Sequence, residues 1–352
     1  MYLWPSVAVW VLDRVLRVIR LCYCNLHVRI IGRNRVQVTS SRKTYDAAAD
    51  VVRLEVVPGT PQLQPMPGDY YFLYQPFRLT GWENHPFTVG AFSYQVGSSK
   101  TPSVVAGGKT DDSVDVSQLP LLSAAAVEQE TQPPIEEEPR ESVDARLKLT
   151  FWIRPYDGWT YQLREQCLRS ENQPVNAKIL LEGPYGHHFP LWKYESVLMI
   201  VGGTGVASAV PYLQDHVRRS VEGCEGSLTE KTRTRDMELI WTARQGALLR
   251  NVACRELKPV LCRSDFQASF YTTGAADAPD DLQDLGCDIQ VGRPHLQSLI
   301  MSRASDAASA GVQLAILVCG PAGMADEARA ATHLAMRQGY RSIRYVEESF
   351  AW

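Results

Sequence analysis

The first apolar run of the chain, residues 2–12, is almost unbroken and carries Trp4 and Trp10. Asp13 ends it, and Arg14, Arg17 and Arg20 then recur every three residues, followed by Arg29, Arg33 and Arg35. A membrane-crossing helix needs about 20 apolar residues, and this run supplies about half of one. A secretory signal carries its positive charge ahead of the apolar stretch, not behind it. The order fits the cytoplasmic end of a transmembrane helix, with interfacial tryptophans and positive charge inside, or else a membrane-surface helix. Residues 1–24 form this segment.

Beyond it the period changes. From Arg35 to Tyr94, short β-branched and aromatic runs alternate with turns. Residues 51–57 read as a strand, Pro58-Gly59 as a turn, and Pro67-Gly68-Asp69 leads into an aromatic run at 70–74. Strands at this spacing predict a small antiparallel barrel. Residues 97–145 break the pattern: they are rich in Ser, Pro, Asp and Glu and poor in aromatics. Such a stretch buries too little apolar surface to offset its ordering entropy, so it reads as a disordered acidic insertion between two barrel strands. Residues 147–153 resume the barrel, and 160–169 predict a short helix.

A third pattern starts at Ser196. An apolar strand at 197–201 is followed by a glycine turn and a helix over 206–218; further buried strands are expected at 238–242, 268–272, 288–291 and 315–319, with helical stretches between. This alternation predicts a doubly wound parallel sheet. The fold class is therefore β followed by α/β, with an antiparallel barrel domain over 25–190 and a parallel-sheet nucleotide domain over 191–352.

Net charge is only −3 over 352 residues, which gives no sign of a nucleic-acid partner. The 8 cysteines are scattered. Cys22-x-Cys24 is the closest pair, and no second pair with zinc spacing follows it, so no metal site is expected. Reduced thiols suit this distribution better than a disulfide framework.

Candidate chemistry lies in a few short blocks. Gly202-Gly203-Thr204-Gly205, between strand and helix, lets the backbone approach a pyrophosphate at a helix N-terminus. Ser208 takes the third position of the usual Gly-x-Gly-x-x-Gly fingerprint, so an ordinary strand-to-helix turn is an open alternative. Cys319-Gly320-Pro321 ends an apolar strand, where ligands of doubly wound sheets sit; taken alone, Cys319 also reads as a small buried core residue. In His85-Pro86-Phe87-Thr88, the last two side chains point to opposite faces if extended. Arg244 follows the second strand of the sheet, where an arginine accommodates a 2′-phosphate and an acid favours NAD.

These blocks, in this order, resemble the fungal ferric reductase branch of the ferric reductase and NADPH oxidase superfamily, and more distantly the ferredoxin–NADP reductase fold. The resemblance covers the chain apart from the acidic insertion. It implies His85 and Pro86 near the FAD pyrophosphate, Phe87 against the isoalloxazine and Thr88 bonding the flavin ring. Trp152-Ile153-Arg154 with Gly158-Trp159-Thr160 resembles the second flavin block, which implies Arg154 and Thr160 as phosphate contacts, and Gly183-Pro184-Tyr185-Gly186 closes the flavin domain. Gly202-Gly203-Thr204-Gly205 resembles the NADPH turn, with Pro211 in the following helix. Gly292-Arg293-Pro294 and Cys319-Gly320-Pro321 resemble the remaining nucleotide blocks. At the C-terminus, Phe350 resembles the aromatic that stacks on the flavin, with Trp352 packing beside it.

The resemblance implies an NADPH-dependent flavoprotein reductase with Thr88, Cys319 and Phe350 at the reacting centre. Electrons would pass from NADPH through FAD to a metal or haem acceptor: ferric iron by way of haem, or an artificial oxidant. A superoxide-producing oxidase shares the same blocks, and a truncated nucleotide-binding relative without activity is a further alternative. Full-length members hold two haems on paired histidines in several transmembrane helices. The histidines here, at 27, 85, 187, 188, 216, 295 and 333, lie in no apolar span, so haem is expected only in a membrane half outside this chain. The implied location is membrane-associated, with the domains on the cytoplasmic side and a role in iron transport.

Overall fold

The computed structural model describes residues 3–29, 35–75, 84–96, 145–170, 173–222, 230–274 and 288–348. Met1–Tyr94 with Leu147–Trp352 cluster as one compact unit and Gln95–Arg146 as another. Most of the second, including nearly all of the expected acidic insertion, falls outside the described residues, as do Phe350 and Trp352.

The chain opens with helix α1 (Leu3–Asn25). Then come β1 (Leu26–Arg29), β2 (Arg35–Val38), β3 (Ser40–Asp46), β4 (Val51–Val57), β5 (Asp69–Tyr74), β6 (Asn84–Thr88), β7 (Ala91–Val96) and β8 (Ala145–Ile153). Helix α2 (Gly158–Leu168), β9 (Val175–Ala177) and β10 (Leu180–Gly186) complete this part. Its strands pair antiparallel, as the alternating pattern predicted, and among the described residues they form the sheets β1-β2, β10-β5-β6 and β7-β8-β4-β3-β9. Inward residues of the two larger sheets, among them Val52, Leu54, Val56, Tyr71, Leu73, Leu149, Phe151 and Leu181, share one core with Trp159 and Leu163 of α2.

The second part begins with β11 (Ser196–Gly202) and a tight turn into α3 (Val206–Glu222). It continues through β12 (Asp236–Ala243), α4 (Gly246–Val252), a π turn at Ala253–Leu257, α5 (Lys258–Leu261), β13 (Phe266–Thr272) and β14 (Ile289–Val291). It closes with α6 (Leu296–Ala310), β15 (Leu314–Cys319), α7 (Ala322–Arg337) and β16 (Ile343–Glu347). The strands form one sheet in the order β14-β13-β12-β11-β15-β16, and all five neighbouring pairs in it are parallel. β15 is buried throughout and β11 nearly so, as parallel strands covered on both faces must be. Alternation sends Val197, Met199, Val201, Ala315, Leu317 and Cys319 into one core layer and Leu198, Ile200, Leu314, Ile316 and Val318 into the other. The doubly wound sheet is thus present, with strand bounds within two residues of those expected.

The two parts touch through specific groups. The Gln214 amide donates to the Phe92 carbonyl at 3.2 Å and accepts from the Phe92 N–H at 3.1 Å. Arg53 pairs with Glu256 at 2.6 Å, and Asn251 donates to Asp46.

Helix α1 is docked only at its C-terminal end. Asn25 is buried: its side-chain oxygen accepts from the Leu181 N–H at 2.9 Å, and its amide donates to the Leu181 carbonyl at 2.6 Å. It thereby satisfies the free edge of β10, which otherwise leaves main-chain groups unpaired. Next along the strand, the Cys24 thiol donates to the Gly183 carbonyl, and Arg20 donates to the Pro184 carbonyl at 2.8 Å while lying 4.3 Å from the Tyr185 ring. Each buried group left unsatisfied costs about 1–3 kcal/mol, so Asn25→Ala, which strips two, is expected to destabilise the fold by roughly 2–5 kcal/mol. Chemical unfolding of the full chain measures this; a shift below half a kcal/mol would show that water replaces the amide.

Candidate functional site

The order of the parallel sheet reverses between β11 and β15, and that crevice is where doubly wound sheets bind ligands. The glycine turn and the Cys319 block meet there, because Val201 pairs with Cys319 in register. A Cβ added to Gly205 would lie 2.6 Å from the Cys319 carbonyl, and one on Gly202 would lie 2.7 Å from Pro321. Side chains at either position would push the two turns apart. Gly320 is equally close to Met324. Ser208 donates from its hydroxyl to the Gly205 carbonyl at 2.9 Å, tightening the first turn of α3.

Gly203 differs from its neighbours. It takes φ +55°, a left-handed conformation that glycine adopts without strain. The Trp241 indole N–H donates to its carbonyl at 3.0 Å. In a trans peptide the following N–H, that of Thr204, points the opposite way, so Trp241 aims one backbone donor outward from the sheet. The one group found within 4 Å of a Cβ built on Gly203 is Nη1 of Arg154, at 4.0 Å.

The flavin-like block lies on β6. His85 stacks on Trp159, with ring centroids 5.1 Å apart and planes at 19°, and Phe87 lies 5.8 Å from the same ring. Both side chains share one face of the strand, while Pro86 and Thr88 are paired with Phe72 and Tyr70. Trp159 is held in turn by donation from its indole N–H to Gln75 at 3.1 Å. The Thr160 hydroxyl accepts from the Tyr156 N–H and donates to the Asp157 carbonyl, closing the loop that leads into α2. Gly158 begins α2 at φ +52° with nothing within 4 Å of its Cβ position. Gly183 and Gly186 close β10 by packing: a Cβ on Gly183 would meet the Tyr71 ring at 2.5 Å, and one on Gly186 the Gly68 carbonyl.

Whether dinucleotides fit can be judged from these glycines. Gly202 and Gly205 are closed off by Pro321 and Cys319, whereas at positive φ Gly203 meets only Arg154 Nη1, at 4.0 Å, and Gly158 meets nothing within 4 Å among the described residues. The Gly202–Gly205 turn therefore has a packed inner side and a more open outer side at Gly203, a cradle that suits a diphosphate. Arg244 stands at the end of β12 with its side chain exposed and its carbonyl accepting from Thr272 at 3.3 Å.

Electrostatics mark one further residue. Glu348 follows β16, and its N–H donates to the Val318 carbonyl at 2.9 Å, one residue before Cys319. Burial pushes its carboxyl up to about 7, partly offset by the facing Tyr212 hydroxyl. That hydroxyl is buried; it also stands 3.4 Å from a Cβ built on Gly68, linking α3 to the antiparallel part. Burial likewise raises the Cys319 thiol to about 12, with Ser208 lowering it and Glu348 raising it further, so the sulfur stays protonated at neutral pH. The motifs pointed to the aromatics after Glu348 and passed over the acid itself. The signal for it was its place at the end of a strand beside the Cys319 strand.

The raised carboxyl has a consequence for stability. Its folded pKa of about 7 exceeds the ordinary 4.5, so its contribution is full below 4.5 and is lost as pH rises through 7. Glu348→Gln is expected to gain on the parent between pH 5 and 8 by up to about 3 kcal/mol. Urea unfolding at both pH values measures the difference; parallel pH dependence in the two proteins would show a solvated carboxylate.

Residues 194–333 match the family described as the ferric reductase NAD binding domain. The resemblance read from the motifs is borne out. Over 374 residues the chain is 20% identical to Ferric reductase transmembrane component 3 of Saccharomyces cerevisiae, covering 100% of this chain and 43% of that protein. Ferric/cupric reductase transmembrane component 2 of the same yeast is 19% identical, with the same coverage. The chain thus spans less than half the length of these relatives. Among solved structures, a ferredoxin NADP+ reductase from Neisseria gonorrhoeae with bound FAD and NADP has a TM-score of 0.49 at 13% identity, over 88% of this chain and 98% of that one. The FAD/NAD binding domain of nitric oxide dioxygenase from Vibrio cholerae O1 biovar El Tor also reaches 0.49, at 12% identity, over 89% and 98%.

Proposed function

We propose that this chain is an NADPH-dependent flavoprotein reductase of the ferric-chelate type, passing electrons from NADPH through FAD to a metal or haem acceptor. The observation that carries the reading is the meeting of three blocks at one crevice: the Gly202–Gly205 turn, the Cys319-Gly320-Pro321 turn, and Arg154 reaching over from the flavin-like block. The family match and the names of the yeast relatives support the same chemistry.

In this reading His85, Pro86, Phe87 and Thr88 hold the flavin, with Trp159 backing the first and third. Arg154 and the open N-terminus of α2 take its phosphates. Thr160 keeps that loop in shape, since its hydroxyl is spent on Tyr156 and Asp157. The outward Thr204 N–H and the α3 N-terminus take the diphosphate of NADPH, and Arg244 takes its 2′-phosphate. Cys319, neutral and packed, supports the nicotinamide from below, and Glu348 supplies a carboxyl that changes charge near neutral pH. FAD, when bound, accepts two electrons as hydride and gives them up singly. The protein's part is to hold donor and acceptor rings in contact and keep water out.

Helix α1 gives the membrane part of the reading. Trp4, Val9, Trp10, Leu12, Leu16 and Ile19 are exposed around it, and only its last turns are docked. A helix that exposes this much apolar surface beside a charged stripe suits a membrane surface. Among the described residues, no helix is long and apolar enough to cross a membrane. In the proposal, α1 places the module against the cytoplasmic face of a membrane, where an acceptor haem would lie. The test is cofactor loading and NADPH-driven reduction of ferricyanide by the full chain: flavin-dependent turnover is expected, and a flavin-loaded protein that NADPH does not reduce would contradict the reading.

A further inference from the structure

We propose that Arg154 serves both nucleotides, contacting the diphosphate of NADP(H) as well as the phosphates of FAD, so that the two cofactors favour one another's binding. This deepens the reading above and rests on it for the flavin half alone.

The placement of the side chain carries the inference. Arg154 follows β8 directly and is partly buried. Its guanidinium lies 5.9 Å from the Tyr156 ring, and among the described residues no carboxylate pairs with it. The loop beneath is fixed by the two hydrogen bonds of the Thr160 hydroxyl. On its own side, then, Arg154 belongs to the short segment that leads from β8 into α2. On the far side its Nη1 stands 4.0 Å from a Cβ built on Gly203, and nothing else described comes that close. The cation therefore lies between two turns of phosphate-binding character that belong to different parts of the chain.

The guanidinium chemistry suits the position. It offers five N–H donors in a flat fork, so two edges can serve two anions at once. The first diphosphate to bind orders the arginine side chain, so the second no longer has to meet that cost, and this outweighs the screened repulsion between the two anions. Such coupling is reciprocal: whatever FAD does to the affinity for NADP+, NADP+ does to the affinity for FAD. A lysine at this position keeps the charge but not the fork.

The test uses calorimetric titration of NADP+ into the full chain, with and without FAD, for the parent, Arg154→Lys and Arg154→Met. Without FAD, Arg154→Met is expected to bind NADP+ about 10-fold more weakly, and Arg154→Lys to fall between. With FAD, the parent should gain about 10-fold in NADP+ affinity, a gain that Arg154→Met largely loses. Adenosine 2′-monophosphate, which lacks the diphosphate, is the control: its affinity should not change in either variant. Unchanged NADP+ affinity in flavin-free Arg154→Met would overturn the inference, as would equal weakening of both ligands. The flavin-free arm stands by itself, so failure of the protein to take up FAD would count against the proposed function and leave this contact decided separately.

Discussion

Arg244→Ala is expected to weaken the use of NADPH by about 10- to 150-fold while leaving NADH nearly unaffected, since a hydrogen bond to a charged phosphate contributes about 1.5–3 kcal/mol. The two coenzymes differ only in the 2′-phosphate. Arg244 stands at the end of β12, next to the strand that carries the glycine turn, with its side chain exposed and its main chain held by Thr272. Truncation therefore removes a charge from the surface and little from the core. The check is kcat/KM for both coenzymes with a dye acceptor. A proportional loss with NADH would assign Arg244 to a part shared by both, such as the diphosphate.

Gly205→Ala should damage the nucleotide crevice directly. The added Cβ falls 2.6 Å from the Cys319 carbonyl and 3.1 Å from its sulfur, and the first of these is backbone that cannot rotate away. Overpacking of this kind costs about 1–3 kcal/mol, and the strain falls where the two nucleotide turns touch. NADP+ affinity is expected to drop by about 5- to 150-fold, the same interval expressed as a ratio. Gly323→Ala supplies the contrast, because Gly323 lies in α7 with nothing within 4 Å of its Cβ position. Alanine there should stabilise the helix by about 0.5–1 kcal/mol. If both substitutions left NADP+ binding unchanged, the crevice would not be the nucleotide site.

Much of this was legible in the chain. Residues 197–201 and 315–319 are unbroken apolar runs, and such runs become central parallel strands because both faces are covered. Glycine turns after them point to a switch-point crevice, since strand order follows from the alternation of strand and helix. The antiparallel part was legible as strands but not as sheets, because pairing across distant segments such as β5 with β10 leaves no local pattern. The docking of Asn25 on Leu181 was hidden for the same reason: its partner lies far along the chain, and an asparagine near a helix end reads locally as a cap. Trp159 was legible as part of a block but not as the ring beneath His85 and Phe87. Glu348 was passed over because its altered acidity comes from burial beside Tyr212, which only the fold provides.

The central claim is that this chain holds FAD and NADP(H) at one crevice and moves electrons between them. The most direct measurement is the visible spectrum of the full chain, purified with FAD and mixed anaerobically with NADPH. The expected result is a yellow protein with bound flavin whose absorbance near 450 nm bleaches on adding NADPH and returns with ferricyanide (roughly the position expected of any oxidised flavin). A folded, colourless protein that takes up no FAD at millimolar concentration would contradict it.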